Sequence, residues 1–347
     1  MILPIKIYEA RKELCSDFVY NKEKPKMEQK ICVIGVYFGT LPNYFQLWLR
    51  SCEHNKGISF YLFTDADLSA YVIPANVQWN GYSLNQMRER ASEVLGFEAA
   101  LYRPYKCCDF KPLYGEIFSE YIKEFDYWGH CDFDLIWGDL SYYFDLYRIN
   151  EYEKFLPLGH LCLYKNTRVN NMRYILDGSK CGDYILAFSS KVHRAFDEEL
   201  GIGAIFDKHN IPTFKKRIFA DISDSYKRYQ CARRDKNYKY QVFFWRKGKV
   251  YRAYWDNGKI HEEEFLYIHF QKRGYLPVHD DCENSTGFFI TNTGFYPLEA
   301  ITLDVIKKYN PYRSLLFEKT EKFISRLKKR WIPGLLNKMQ KAGIIKG

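Results

Sequence analysis

Phe125-Asp126-Tyr127-Trp128-Gly129-His130-Cys131-Asp132-Phe133-Asp134-Leu135-Ile136-Trp137-Gly138-Asp139-Leu140 is the stretch whose reading decides the fold. Apolar and aromatic residues crowd it as they do a buried strand, yet two acids one residue apart interrupt it. Side chains alternate faces along a strand, so the spacing predicts both carboxylates on one side and Phe133 on the other. Two like charges held together in a poorly solvated place are costly unless a positive partner lies between them. Mg²⁺ or Mn²⁺ is the simplest such partner, because hard cations take oxygen ligands. Asp132 and Asp134 are therefore the candidate metal ligands.

Upstream, short apolar runs alternate with helical spacing. Ile31–Phe38 reads as a buried strand, broken by Gly39-Thr40-Leu41-Pro42, and residues 43–52 as a helix. Ile58–Phe63, ending in Thr64-Asp65, gives a second strand, Asn76–Trp79 a shorter third, and Ser83–Leu95 a helix. Tyr105–Lys123 reads as one more helix, bent near Pro112. This alternation predicts an α/β fold, a mostly parallel Rossmann-like sheet flanked by helices. Ligands collect at the C-terminal strand ends of such sheets. Phe38-Gly39-Thr40, Thr64-Asp65 and Asp132-Phe133-Asp134 are all strand ends, so they are expected on one rim.

Downstream, Phe155–Leu158 and His160–Tyr164 read as strands and Tyr184–Phe196 as helical. Tyr240–Trp245 and Val250–Trp255 read as a hairpin turning at Lys247-Gly248-Lys249, and Glu264–Arg273 as a last apolar strand. The expected division is a lead-in over 1–30, a main domain over 31–310 (halves 31–140 and 141–310), and a basic amphipathic tail over 311–347.

Composition bounds the partners. The 347 residues are 47% hydrophobic, enough for a core, and the formal charge of +10 points to an anionic partner. Aromatics reach 18%, which suits sugar sites but is first of all core material. Ten cysteines without a C-x-x-C pair suit neither a zinc finger nor a disulfide framework, so a reducing cytoplasm is expected. No apolar run has the length of a membrane span. Residues 319–347 hold nine Lys or Arg against the single acid Glu321, a pattern suited to peripheral contact with an anionic inner membrane face or to packing on the domain.

Strand–helix–strand units, the helix carrying Cys108-Asp109-Phe110-Lys111, and an aromatic strand running into Asp132-Phe133-Asp134 together resemble the GT-A-fold glycosyltransferases. More narrowly, they resemble bacterial enzymes that build capsule or lipopolysaccharide side chains. The resemblance covers residues 31–275 and implies a UDP- or GDP-sugar donor, a glycan or lipid-linked glycan acceptor, and Mn²⁺ or Mg²⁺ on Asp132 and Asp134. It also implies a late histidine ligand and a phosphate-binding lysine, which Ile268-His269-Phe270-Gln271-Lys272-Arg273 would supply as His269 and Lys272. Phe38, Gly39, Thr40 and Asp65 fall where the family holds base and ribose, and Asp109 and Lys111 where it reaches donor sugar and phosphates. Asp197 and Glu198, with Glu199 beside them, are the carboxylates expected to take an acceptor hydroxyl's proton, and Asp221 is a comparable candidate. Two rivals remain from composition: a metal-dependent nuclease or phosphodiesterase, and a non-catalytic carbohydrate-binding protein. The first wants a second metal and more acids on the rim than the sequence offers, so nucleic acid is not an expected partner.

Overall fold

The computed structural model describes residues 29–232, 237–271, 275–279, 281–312, and single positions at 314, 317, 320, 323 and 324. The chain is α/β, with a large mixed, partly parallel sheet flanked by helices. That sheet has seven strands in the order β3-β2-β1-β4-β7-β6-β8. β1 (Ile31–Tyr37), β2 (Ile58–Thr64), β3 (Val77–Gly81) and β4 (Tyr127–Cys131) run parallel. β7 (Leu161–Lys165) runs antiparallel to β4 and to β6 (Lys154–Phe155), which pairs in parallel with β8 (Thr213–Phe214). A boundary at residue 140 therefore does not divide the sheet, since β7 from the second half continues it directly from β4.

β1 shows why the sheet sits where it does. Its residues alternate faces: Ile31 and Val33 enter one apolar cluster with helix α1 (Phe45–Glu53), while Cys32 and Ile34 enter another with helix α2 (Leu84–Leu95). Both faces are covered, as a parallel sheet requires. Helix α2 starts on a capping box, with Ser83 and Gln86 satisfying each other's backbone donors, and ends at Gly96 in the left-handed region.

The helix expected over Tyr105–Lys123 is instead a string of single turns: Pro104–Lys106, Cys107–Phe110, Lys111–Leu113, Tyr114–Ile117 and Ser119–Ile122. Pro112 lacks an N–H and crowds the preceding turn, so a continuous ladder cannot pass it. The helix expected to reach Phe196 ends at Ser189. The strand expected over Glu264–Arg273 is two strands, β12 (Lys259–Phe265) and β13 (Tyr267–His269), in different sheets.

β10 (Tyr240–Arg246), β11 (Lys249–Asp256), β12, β14 (Gly287–Thr291) and β15 (Gly294–Pro297) make a five-stranded antiparallel sheet in the order β12-β11-β10-β14-β15. Both turns at its centre have positive φ at two successive residues, Lys247-Gly248 (50° and 84°) and Asn257-Gly258 (49° and 80°), the geometry that matches strand twist. The acids Glu262, Glu263 and Glu264 on β12 answer cations across the sheet: Arg246 on β10, and Arg252 and Lys249 on the adjacent β11, respectively. Cross-strand pairing thus explains an acidic run that looks, in sequence, like free surface.

A third sheet is small and brings distant polar residues together. β5 (Leu135–Trp137), β13 and β9 (Ala220–Asp221) lie in the order β5-β13-β9. Its register sets His269 opposite Leu135 on one side and opposite Asp221 on the other. Among the described residues, no helix is long and apolar enough to cross a membrane.

Candidate metal and nucleotide site

β4 lies beside β1, on the far side from β2 and β3, so the sheet has a switch point between β1 and β4 where crevices form at the strands' C-terminal ends. Asp132 and Asp134 lie in the short link between the end of β4 and the start of β5. Phe133 between them is 5% exposed and faces the core as expected, although this link is a bend between β4 and β5 and not the continuous strand the stretch suggests. Its ring stacks on Trp48 (centroids 5.1 Å apart) and meets Tyr37 edge-on at 5.1 Å. The space comes from Gly35 on β1, where an added Cβ would lie 2.8 Å from the Phe133 ring. Phe133 is therefore the wedge that fixes where the two acids stand. Gly35→Ala should destabilise the fold by about 1–3 kcal/mol through overpacking. Phe133→Ala should cost about 3–5 kcal/mol, and both variants should loosen the acid pair. Chemical denaturation reads the first effect and metal titration of the folded variant the second.

Lys111 holds Asp132 from behind. Its ammonium donates to Asp132 Oδ1 at 2.6 Å, to the Gly159 carbonyl at 2.8 Å and to Asp197 Oδ2 at 3.2 Å. An ammonium has three protons, so all are used within the protein. Burial alone would lower the lysine's pKa, but the charges of Asp132 and Asp197 outweigh it and hold the group well above its ordinary range. Lys111 thus positions an acid of the site, and its ammonium does not project toward a ligand's phosphates as expected.

Asp197 and Glu198 are also placed otherwise than expected. Asp197 is 3% exposed and stands behind Lys111, while Glu198 accepts a hydrogen bond from the Gly159 amide at 3.2 Å. Asp197 lacks the access a base for an acceptor hydroxyl would need, whereas Glu198 is partly exposed with its carboxylate engaged by the Gly159 amide. Glu199 is on the surface with Arg217. The Asp197 carboxyl is pushed up to about 7 by burial, against the opposing pull of Lys111 and with Glu198 and Asp132 adding to the rise. Relative to its ordinary 3.8, the folded chain holds a proton here that the unfolded chain has lost between those values. Stability from this group is full below about pH 4 and falls as pH rises through 7. Asp197→Asn should flatten that part of the stability–pH curve, measurable by urea unfolding at pH 5 and pH 7.5.

Asp109 is wholly internal. It pairs with Lys106 at 2.7 Å and accepts the backbone N–H groups of Arg194 and Phe196, pinning the loop that delivers Asp197. It is a brace, not the sugar contact expected of it.

The third arm of the site is His269, brought in by β13. Its Nε2 lies 3.3 Å from Asp134 Oδ1, and its Nδ1 lies 2.9 Å from Asp221 Oδ1. Gln271, turning through a positive φ of 37°, donates to the same Asp221 oxygen at 2.7 Å. Burial works against a charged ring, but Asp134 and Asp221 raise the His269 pKa to about 10. Asp132, Asp134 and His269 each offer one ligand atom, all within 4.8 Å of one another. Two carboxylates and an imidazole at that spacing could hold a divalent cation, with Asp221 orienting the imidazole as outer carboxylates do in metal centres. Asp132 already shares one oxygen with Lys111, so Asp134 is the more available ligand.

The sequence signal for Asp221 was an isolated acid, without a hint of its partner. His160, whose ring stacks on His269 with centroids 4.2 Å apart, gave no signal beyond its place before an apolar strand. The β9–β13–β5 pairing brings Asp221 to His269, and the β4–β7 pairing sets His160, whose carbonyl accepts the Asp132 N–H at 3.0 Å, beside them.

On the same rim, Gly39, Thr40, Leu41, Asp65, Ala66, Asp67 and Tyr71 line an open groove of about 460 Å³. Gly39 has φ +98°, and its N–H donates to Asp65 Oδ1 at 2.8 Å. No atom lies within 4 Å of where its Cβ would be, leaving the backbone open to close approach. Thr40 and Asp65 are exposed there, whereas Phe38 turns inward at 7% exposure and belongs to the core. Lys272 and nearly all of the 319–347 tail lie outside the described residues, as does the lead-in before residue 29.

A family model matches residues 33–299, from β1 to just past β15. The chain belongs to DUF6625, a family of unknown function. The match takes in the acid pair, Lys111, Asp221, His269 and the groove, and it leaves out the basic tail. No curated protein matches the chain.

Proposed function

We propose that this chain is a metal-dependent glycosyltransferase of GT-A type, moving a sugar from a nucleoside-diphosphate donor to a growing surface glycan. The observation that carries the reading is the convergence of Asp132, Asp134 and His269, from strands far apart in sequence, at the switch point of the sheet. Their donor set suits Mn²⁺ or Mg²⁺, which when bound would neutralise charge on a leaving diphosphate.

The remaining roles belong to the chain. Asp134 and His269 would hold the cation directly, and Asp132 would complete the set while Lys111 fixes its position. Asp221 keeps the His269 ring turned so that Nε2 faces Asp134. The groove at Gly39, Thr40 and Asp65 is the place for base and ribose, with the Gly39 backbone allowing close approach and Asp65 accepting from hydroxyl or ring N–H groups. UDP or GDP would then lie across the rim with its phosphates toward the acid pair.

A thermal-shift panel of UDP, GDP, ADP and CDP, each with and without Mn²⁺, tests this directly. Stabilisation by UDP or GDP that needs the metal, followed by sugar transfer or donor hydrolysis with the matching nucleotide sugar, is the expected result. If no nucleoside diphosphate stabilises the chain in the presence of Mn²⁺, the proposal is wrong.

A further inference from the structure

His160 is a buried ionisable group beside His269 that the proposed transfer leaves without a task. It is 5% exposed, and its Nδ1 lies 2.8 Å from the Tyr267 hydroxyl. Its Nε2 is buried and has no hydrogen-bond partner among the described residues. An orphaned buried nitrogen costs about 1–3 kcal/mol, so a fold that keeps one invites the question of what it serves. The ring is stacked on His269 at an interplanar angle of 29°. His160, Asp221 and His269 each present a ligand atom within 4.8 Å of the other two, and all three are buried.

We propose that His160, Asp221 and His269 form a second, inner metal site for a Zn²⁺-class ion, competing with Asp132 and Asp134 for the imidazole of His269. The two groups differ in chemistry. The outer one has two carboxylates, one imidazole and partial exposure, which suits Mn²⁺ or Mg²⁺. The inner one has two imidazoles, one carboxylate and little access to water, which suits Zn²⁺ or Co²⁺ far better than Mg²⁺. In the tautomer whose Nδ1–H donates to the Tyr267 oxygen, His160 presents the Nε2 lone pair. His269 turns Nε2 toward Asp134 and Nδ1 toward Asp221. A neutral imidazole has one lone pair to give, so an ion on the inner side deprives the outer group of its nitrogen. Zn²⁺ held there opposes Mn²⁺ at the rim.

The inner site needs no nucleotide, so its test does not depend on the proposed transferase activity. The metal-stripped full chain is titrated with Zn²⁺ against a chromogenic chelator, alongside His160→Gln and Asp132→Asn. His160→Gln should weaken Zn²⁺ binding by about tenfold or more, and Asp132→Asn should leave it unchanged. Equal Zn²⁺ affinity in His160→Gln and the unaltered chain overturns the proposal, as does an equal loss in Asp132→Asn, which would place the Zn²⁺ at the rim. Circular dichroism establishes that each variant is folded. A second measurement uses the unaltered chain alone: one equivalent of Zn²⁺ should raise the free-Mn²⁺ paramagnetic resonance signal of the Mn²⁺-loaded protein. Undiminished Mn²⁺ occupancy counts against the shared imidazole. A chain that binds Zn²⁺ through His160 yet binds no nucleoside diphosphate keeps this site and loses the transferase reading.

Discussion

Asp134→Ala is expected to abolish Mn²⁺-dependent binding of the nucleoside diphosphate while leaving the chain folded. Outer-shell partners of a metal are worth about 10–100-fold in affinity, so a direct ligand should be worth at least about 100-fold. Asp134 has the strongest claim to be such a ligand, because Asp132 already gives an oxygen to Lys111 at 2.6 Å. The loss should not be matched by a loss of stability. Asp134 is partly exposed, and its removal relieves repulsion with Asp132. His269, raised to about 10 between Asp134 and Asp221, keeps the second of these partners. Isothermal titration with Mn²⁺ and UDP or GDP, set beside a thermal melt without metal, separates the two effects. Full Mn²⁺-dependent affinity in the variant would remove Asp134 from the site.

Lys111→Met has its main effect on stability. Methionine fills similar volume but takes the cation away from Asp132, Asp197 and the Gly159 carbonyl together. Removing one partner of a buried ion pair strands the other, at about 3–5 kcal/mol. The Lys111 and Asp197 side chains are only 6% and 4% exposed, so water offers little relief. The effect has a pH signature. Below about 7 the Asp197 carboxyl already carries a proton in the folded chain, and less charge is stranded. The destabilisation should therefore be larger at pH 8 than at pH 5. Adding Asp197→Asn should recover part of it at pH 8, a non-additivity expected only of groups in contact. Urea unfolding of the single and double variants at both pH values is the measurement, and equal destabilisation at the two pH values would deny Asp197 its part.

How much of this was legible beforehand follows from the range of the interactions. β1, β2, the capped helix α2 and the inward turn of Phe133 depend on alternation, periodicity and local capping, all of which lie within a few residues. The position of Asp132 and Asp134 at a strand end is likewise local. Lys111 was visible as a charge near the right helix, but its role depends on Gly159 and Asp197, which lie 48 and 86 positions away. Asp197 reads in sequence as an acceptor-side carboxylate because sequence displays neither its burial nor its pairing with Lys111. The Glu262–Glu264 run lies at the surface, as an acidic run suggests, but its cation partners on the adjacent strand β11 and across it on β10 are not displayed by sequence. His269 emerged through a family resemblance, whereas Asp221 and His160 beside it depend on strand pairing that no local pattern announces.

The three short strands β5, β13 and β9 have a consequence for synthesis of the chain. A nascent polypeptide that has emerged only through β4 and β5 already carries Asp132, Phe133, Asp134 and Lys111. It lacks the imidazole, its orienting carboxylate and the strand that brings both. Pairs as distant in sequence as Leu135 and His269 are closed late, because loop closure must precede any gain from contact. On the proposed reading, metal affinity at this rim would be acquired near the end of folding, and a ribosome-bound fragment ending before residue 269 should meet metal ions without retaining one.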